Sequence, residues 1–259
     1  MRIRLLILLL AVFSLSAFGD DWNKDYKVGA SPKLNVDTND ANIRVSAGAG
    51  NRISAHVTTD GYKIGATDVR VNERQSGDEV TISVRIPSMH FSFGNHSVRV
   101  EITVPANTQL DLRSGDGRLE VSGTRGAAKL STGDGRITVR DFGGQLNAHS
   151  GDGRVEVEGR FDDLQLDTSD GSIDAEVRPG SKMSGRWYLH TGDGSVRLRL
   201  PEGFGAELDA RSGDGRIDVS MPVTMNGSMS RNSVRGKING GGQTLEVRTG
   251  DGSIHIGRF

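Results

Sequence analysis

No cysteine occurs among the 259 residues, so disulfides, thiolate metal sites and cysteine nucleophiles are all excluded, as is a lipid-carrying cysteine behind a leader. Proline is scarce at 6 residues, aromatic residues make up 5 %, and the Ala/Leu/Glu/Lys-rich stretches that favour helices are few. Helix content should therefore be very low. Neither sign of charge prevails: 32 Lys+Arg stand against 33 Asp+Glu, a net charge of −1. That balance argues against a nucleic-acid partner. There is no metalloprotease helix motif and no phosphate-binding loop, since Gly240-Gly241-Gly242 lacks the Lys and the helix such a loop needs. Long apolar runs are absent except one, Leu5 to Phe13, preceded by Arg2 and Arg4 and followed by Ala17-Phe18-Gly19. It reads as a secretory signal peptide over 1–19, too short to span a bilayer stably. The exported chain is then expected to begin at Asp20 with a net charge of about −3, periplasmic or extracellular and not membrane-spanning.

Glycine, by contrast, is abundant at 36 residues, and much of it falls in one recurring phrase. Ser114-Gly115-Asp116-Gly117-Arg118 returns around Asp134, Asp152, Asp170, Asp193, Asp214 and Asp251, in steps of 18, 18, 18, 23, 21 and 37 residues. Self-similarity on this scale marks stacked coils. Four and six residues before each Asp the side chains are apolar, as at Leu112 and Leu110; three and five residues after it they are apolar again, as at Leu119 and Val121. Both flanks thus alternate with period two, one face dry and one wet. Strand pairs this short bury too little alone, but stacked rung on rung each inward side chain packs on its equivalents.

The expected fold is all-β: a parallel β-solenoid, β-helix-like, with about 18–21 residues per rung. Residues 110–259 form the repeat, and residues 20–109 a looser strand region or cap. Within the 37-residue gap, Ser233 to Ile238 fits as a degenerate rung with Arg235 at the Asp position, which makes eight rungs in chain order. A meander of hairpins is the competing architecture, because Asp-Gly between alternating strands also signals a hairpin.

Two stretches carry a family resemblance: Ile102 to Leu112 leading into Ser114-Gly115-Asp116-Gly117, and Ser230 to Gly236 continuing through Gly240-Gly241-Gly242 to Ile254. They resemble the bacterial adhesin-type β-strand-repeat family of unknown function, over roughly residues 30–259. The resemblance implies a right-handed β-helix-like solenoid in exported bacterial proteins, with adhesion as the role. It supplies no catalytic residues.

Several groups are candidates for a site. The seven aspartates Asp116, Asp134, Asp152, Asp170, Asp193, Asp214 and Asp251 would lie about 4.8 Å apart, where unit charges at an effective dielectric near 20 repel by roughly 3.5 kcal/mol. Relief is expected from backbone N–H groups within corners whose glycines take positive φ, and from Arg118, Arg136, Arg154 and Arg216. Calcium is the other source of relief, although the nine-residue calcium-binding β-roll signature does not occur. Three residues before each Asp, successive rungs carry His149, Asp167 and His190, which would form either a hydrogen-bonded polar ladder or a transition-metal site. The interruptions around Met89, His90, Phe91, Phe93 and His96, and from Arg178 to Tyr188, are either partner loops or caps over an open end. Phe259 is expected to pack on the last rung.

A group repeated in every rung is a building element, whereas catalysis on a β-helix needs residues unique to a few rungs. The expectation is a non-enzymatic exported scaffold, an adhesin or envelope interaction protein whose partner is an envelope polymer or protein. The alternatives are a β-helical polysaccharide lyase or hydrolase, and a purely structural envelope spacer.

Overall fold

Alternating apolar residues with β-branched enrichment become strands wherever the pattern holds for three residues or more. A computed structural model describes residues 20–87, 96–225 and 230–258, which contain strands and turns and no helix. The signal-peptide segment, Met89, His90, Phe91, Phe93 and Phe259 lie outside the described residues. The N-terminal strands are β1 (Asp21–Lys27), β2 (Lys33–Thr38), β3 (Asn42–Gly48), β4 (Arg52–Asp60), β5 (Arg70–Ser76), β6 (Glu79–Arg85) and β7 (Ser97–Pro105). The central ones are β8 (Gln109–Ser114), β9 (Leu119–Ser122), β10 (Arg125–Thr132), β11 (Ile137–Ser150), β12 (Val155–Thr168), β13 (Ile173–Val177), β14 (Trp187–Thr191) and β15 (Val196–Leu200). The chain continues with β16 (Ala206–Ser212), β17 (Ile217–Val219), β18 (Val223–Met225), β19 (Ser233–Ile238), β20 (Thr244–Thr249) and β21 (Ile254–Arg258).

All of them join one open, solenoid-like sheet with two columns of parallel strands. Strands before the aspartates stack in the order β6, β2, β8, β10, β11, β12, β14, β20, β16. Those after the aspartates stack as β7, β3, β9, β11, β12, β13, β15, β21, β17. β11 and β12 are long enough to serve both columns, bending where register shifts fall between Val139 and Phe142 and between Gly144 and Gln145. The alternative of consecutive antiparallel hairpins is excluded for this block: Leu110, Ala128, Leu146 and Leu164 are register partners in successive parallel strands.

The core runs along the stack axis between the columns. Of the aliphatic positions flanking the aspartates, all but Val219 are buried, and each buried Val, Leu or Ile among them contributes about 1.5–3 kcal/mol. Where the rungs bend back, Phe142, Phe161, Trp187 and Phe204 form an internal aromatic ladder with centroid separations of 6.2, 6.4 and 5.3 Å. Antiparallel strands cover the ends: β5 lies on β6, β4 on β7 with β1 outside it, and β19 on β16 with β18 outside it.

Two expectations fail at the C-terminal end. Ser233–Ile238 is no degenerate rung: β19 runs antiparallel to β16, sets Arg235 opposite Asp209 and makes no corner. The corners hold glycine, or once Ser169, immediately before the aspartate, and Val234 puts a β-branched side chain there. Nor does stack order follow chain order to the end. β20 and β21 slot between β14–β15 and β16–β17, pairing in parallel with all four strands.

Candidate functional site

The corner that turns one column into the other is the repeated structural unit. Its anchor is the Ser or Thr two residues before each aspartate, buried at Ser114, Thr132, Ser150, Thr168, Thr191, Ser212 and Thr249. Each rung uses this hydroxyl to satisfy groups that would otherwise be buried unpaired. Thr191 Oγ1, for example, accepts the Gly194 N–H at 3.1 Å and donates to the Gly171 carbonyl of the adjacent rung at 2.7 Å. Ser150 repeats the arrangement with the Gly153 N–H at 3.1 Å and the Gly135 carbonyl at 2.9 Å. At the N-terminal rung Thr38 accepts the Ala41 N–H at 3.1 Å.

The glycine after each aspartate is required by proximity rather than by dihedral angle. A Cβ on Gly135, Gly153, Gly171, Gly194 or Gly252 would lie under 3.0 Å from the carbonyl oxygen of the equivalent glycine one rung away. None of these glycines takes positive φ, which corrects the expectation for the corners. The seven aspartate side chains also differ from expectation. All are exposed, and among the described residues none accepts a hydrogen bond or forms an ion pair. Among the described residues Arg118, Arg136 and Arg216 have no ion pair, while Arg154 meets Glu156 at 3.5 Å. Among the described residues the corner therefore presents a row of carboxylates without partners, with Arg118, Arg136 and Arg154 two residues further on in successive rungs. The hydroxyl carries the fold, and the carboxylate is left to solvent.

On the outward face before the corner, His149, Asp167 and His190 are register partners on β11, β12 and β14. Asp167 bridges both imidazoles, accepting from His149 Nδ1 on Oδ2 and from His190 Nδ1 on Oδ1, each at 2.8 Å. The tautomer with hydrogen on Nδ1 suits both contacts. Tyr188 stacks on His190 at 5.7 Å with an interplanar angle of 11°. The expected ladder is therefore present as a hydrogen-bonded one. Among the described residues no group of three or more His, Asp or Glu side chains is placed to hold a metal ion, in this ladder or along the corner row.

His96, the described member of the aromatic interruption, meets Tyr62 with ring centroids 4.9 Å apart. A groove of about 610 Å³ opens on the outward face of β1, β4, β7 and β3, lined by Lys24, Arg44, Ser54, His56, Glu101 and Thr103 among others. It escaped sequence reading because it needs antiparallel strands that carry no corner phrase. Asp209 on β16 was missed for the same reason. It meets Arg248 of β20 at 3.0 Å and Arg235 of β19 at 3.3 Å. Burial alone would raise its pKa, but the hydrogen bond and charge of Arg248, followed by those of Arg235, outweigh burial and hold it below the usual carboxylate value.

The family model described as Toastrack DUF4097 matches the chain twice, over residues 32–183 and 108–257. The two placements overlap across the rungs that most resemble one another. No protein of curated function matches. Three solved structures resemble the chain in outline. A candidate cell adhesion protein from Clostridium sporogenes is 14 % identical with a TM-score of 0.42, the likeness covering 92 % of this chain and 99 % of that one. A candidate adhesin from Bacteroides fragilis is 14 % identical with a TM-score of 0.49, covering 92 % and 97 %. A candidate lipid-binding protein from Parabacteroides distasonis is 12 % identical with a TM-score of 0.44, covering 93 % and 98 %. No helix among the described residues is long and apolar enough to cross a membrane.

Proposed function

Because the chain belongs to the Toastrack DUF4097 family, we propose that it is a non-enzymatic interaction scaffold of the cell envelope. In this reading it is exported behind the leader of residues 1–19 and engages an envelope polymer or protein through its outward rows. The observation that carries this reading is the corner row, where identical exposed carboxylates recur rung after rung with no partner among the described residues. Neighbouring rungs repeat at about 4.8 Å, so the row offers the same group many times along one line. A repeating partner could engage several rungs at once, and many weak contacts then add through effective concentration. Other outward carboxylates are engaged in ion pairs, such as Glu158 with Arg178 and Glu176 with Arg199.

The test is retention of purified residues 20–259 on intact envelope fractions, compared with the triple variant Asp134→Asn, Asp152→Asn, Asp170→Asn. Saturable retention that weakens in the variant is expected. Equal retention of both proteins would remove the corner row from the reading, and no retention of either would leave an envelope spacer. Shortening of acidic polysaccharides by the purified chain would make it an enzyme.

A further inference from the structure

The placement of β20 and β21 departs most from the repeat. After β15 the chain skips one rung position, builds β16 and β17 beyond it, and adds β19 outside β16. It then crosses back through Asn239, Gly240, Gly241 and Gly242, all at positive φ. This crossing is fastened to the start of β16, where Asn239 Nδ2 donates to the Phe204 carbonyl at 2.9 Å. Beyond it, residues 243–258 fill the skipped position.

That position has demanding chemistry on both faces. On one side Thr249 Oγ1 donates to the Gly194 carbonyl at 2.8 Å; on the other, Ser212 Oγ donates to the Gly252 carbonyl at 2.9 Å. A Cβ on Gly252 would collide with the Gly194 carbonyl, and one on Gly215 with the Gly252 carbonyl. Leu245, Val247, Ile254 and Ile256 are buried between the neighbouring rungs. An occupant therefore needs two apolar-alternating strands joined by a hydroxyl-glycine corner. Within the described chain, residues 243–258 are the one such segment that follows β16–β17.

We infer that the position between β14–β15 and β16–β17 is a strand-acceptor site that takes residues 243–258 of a second copy of this chain. The receiving surfaces, register and corner contacts are the same whichever copy supplies the segment, and only the path of residues 239–242 differs. Exchange of this kind joins copies without any new interface chemistry, through main-chain pairing on both sides of the donated strands. It would add self-association to whatever the outward rows bind, and it does not depend on that binding.

Arg197 and His255 are exposed register partners across β15 and β21, and the chain has no cysteine of its own. Chains carrying Arg197→Cys and chains of different length carrying His255→Cys would be unfolded together, refolded, and oxidised with glutathione disulfide, which takes two electrons and two protons per bond formed. Exchange predicts a mixed cross-linked dimer well above the homodimers of either variant alone, its fraction rising roughly tenfold for a tenfold rise in concentration in the dilute range. Mixed dimer no more abundant than those homodimers at every concentration overturns the inference, provided the double variant cross-links within one chain. In a separate arm, deleting Gly240 and Gly241 shortens the crossing and should convert the chain to dimers in sedimentation. A folded monomer there also overturns it.

Discussion

Between Leu110 and Leu200 the rungs stack in the order in which the chain makes them, with register partners 17, 18 or 23 residues apart. The two ends do not. At the N-terminal end β6–β7 lies outside β2–β3, and the chain must cross that rung through residues 106–108 to place β8–β9 on its inner side. At the C-terminal end β16–β17 is likewise held between segments that come later, β19 outside and β20–β21 inside. The corner phrase specifies how a rung is received by another rung, but not which rung receives it. In the middle, short connections make that choice; at the ends it falls to linkers and antiparallel strands outside the code. Each end thus traps an earlier rung between later ones, which is a natural guard against fraying of an open stack.

The largest expected effect tests the middle. Gly153→Ala places a Cβ against the Gly135 carbonyl and the Ser150 hydroxyl, and should destabilise by about 3 kcal/mol or more, read as a fall in denaturant midpoint. Gly203→Ala, at φ 77 with open space around it, should lose only about 1 kcal/mol. Equal losses would mean that rung proximity does not set the corner.

Thr191→Val removes one hydroxyl and strands a buried N–H and carbonyl, a loss of about 1–3 kcal/mol in the same measurement. A neutral result would leave the hydroxyl column without an energetic role.

The C-terminal end should show itself in acid. Asp209 has a folded pKa depressed below its unfolded value, so its contribution is full above the unfolded pKa and disappears as pH falls through the folded one. Asp209→Asn should destabilise by about 1 kcal/mol near neutral pH, with the gap to the parent closing below about pH 4. A gap that persists in strong acid would refute the charge pin between β19, β16 and β20. The smallest effect belongs to the corner carboxylates: Asp152→Asn should shift stability by no more than about 0.5 kcal/mol, and added calcium should leave the melting temperature unchanged. A calcium-dependent rise would mean that the row closes on the ion.

The parallel stack, the dry and wet faces and the bridged imidazole column were all legible, because period-two alternation and a constant offset from the aspartate define them. The hydroxyl anchor was legible too, yet overlooked. Ser114 and Thr132 continue the inward parity of Leu110, Leu112, Ala128 and Leu130, and a polar residue at an inward position must find buried partners. The conspicuous aspartate shares that parity, but the corner breaks the alternation just there, burying Gly117 and Leu119 and leaving Asp116 to water. What could not be read was rung order at the ends, since Arg235 and Asp209 sit in strands whose pairing is decided by long-range topology rather than local pattern. The aromatic ladder was equally hidden, because Phe142, Phe161, Trp187 and Phe204 keep no fixed spacing from the corners.

A stack whose internal faces are interchangeable can change length by whole units. Duplicating residues 134–151 would add a rung that meets Thr132 below with the same hydroxyl geometry and offers Ser150 above the surface it already offers. The two braided ends would be carried apart unchanged. Reach, measured along the axis, is therefore free to vary by genetic copying in the centre of this molecule, while its terminations are bound to a single design.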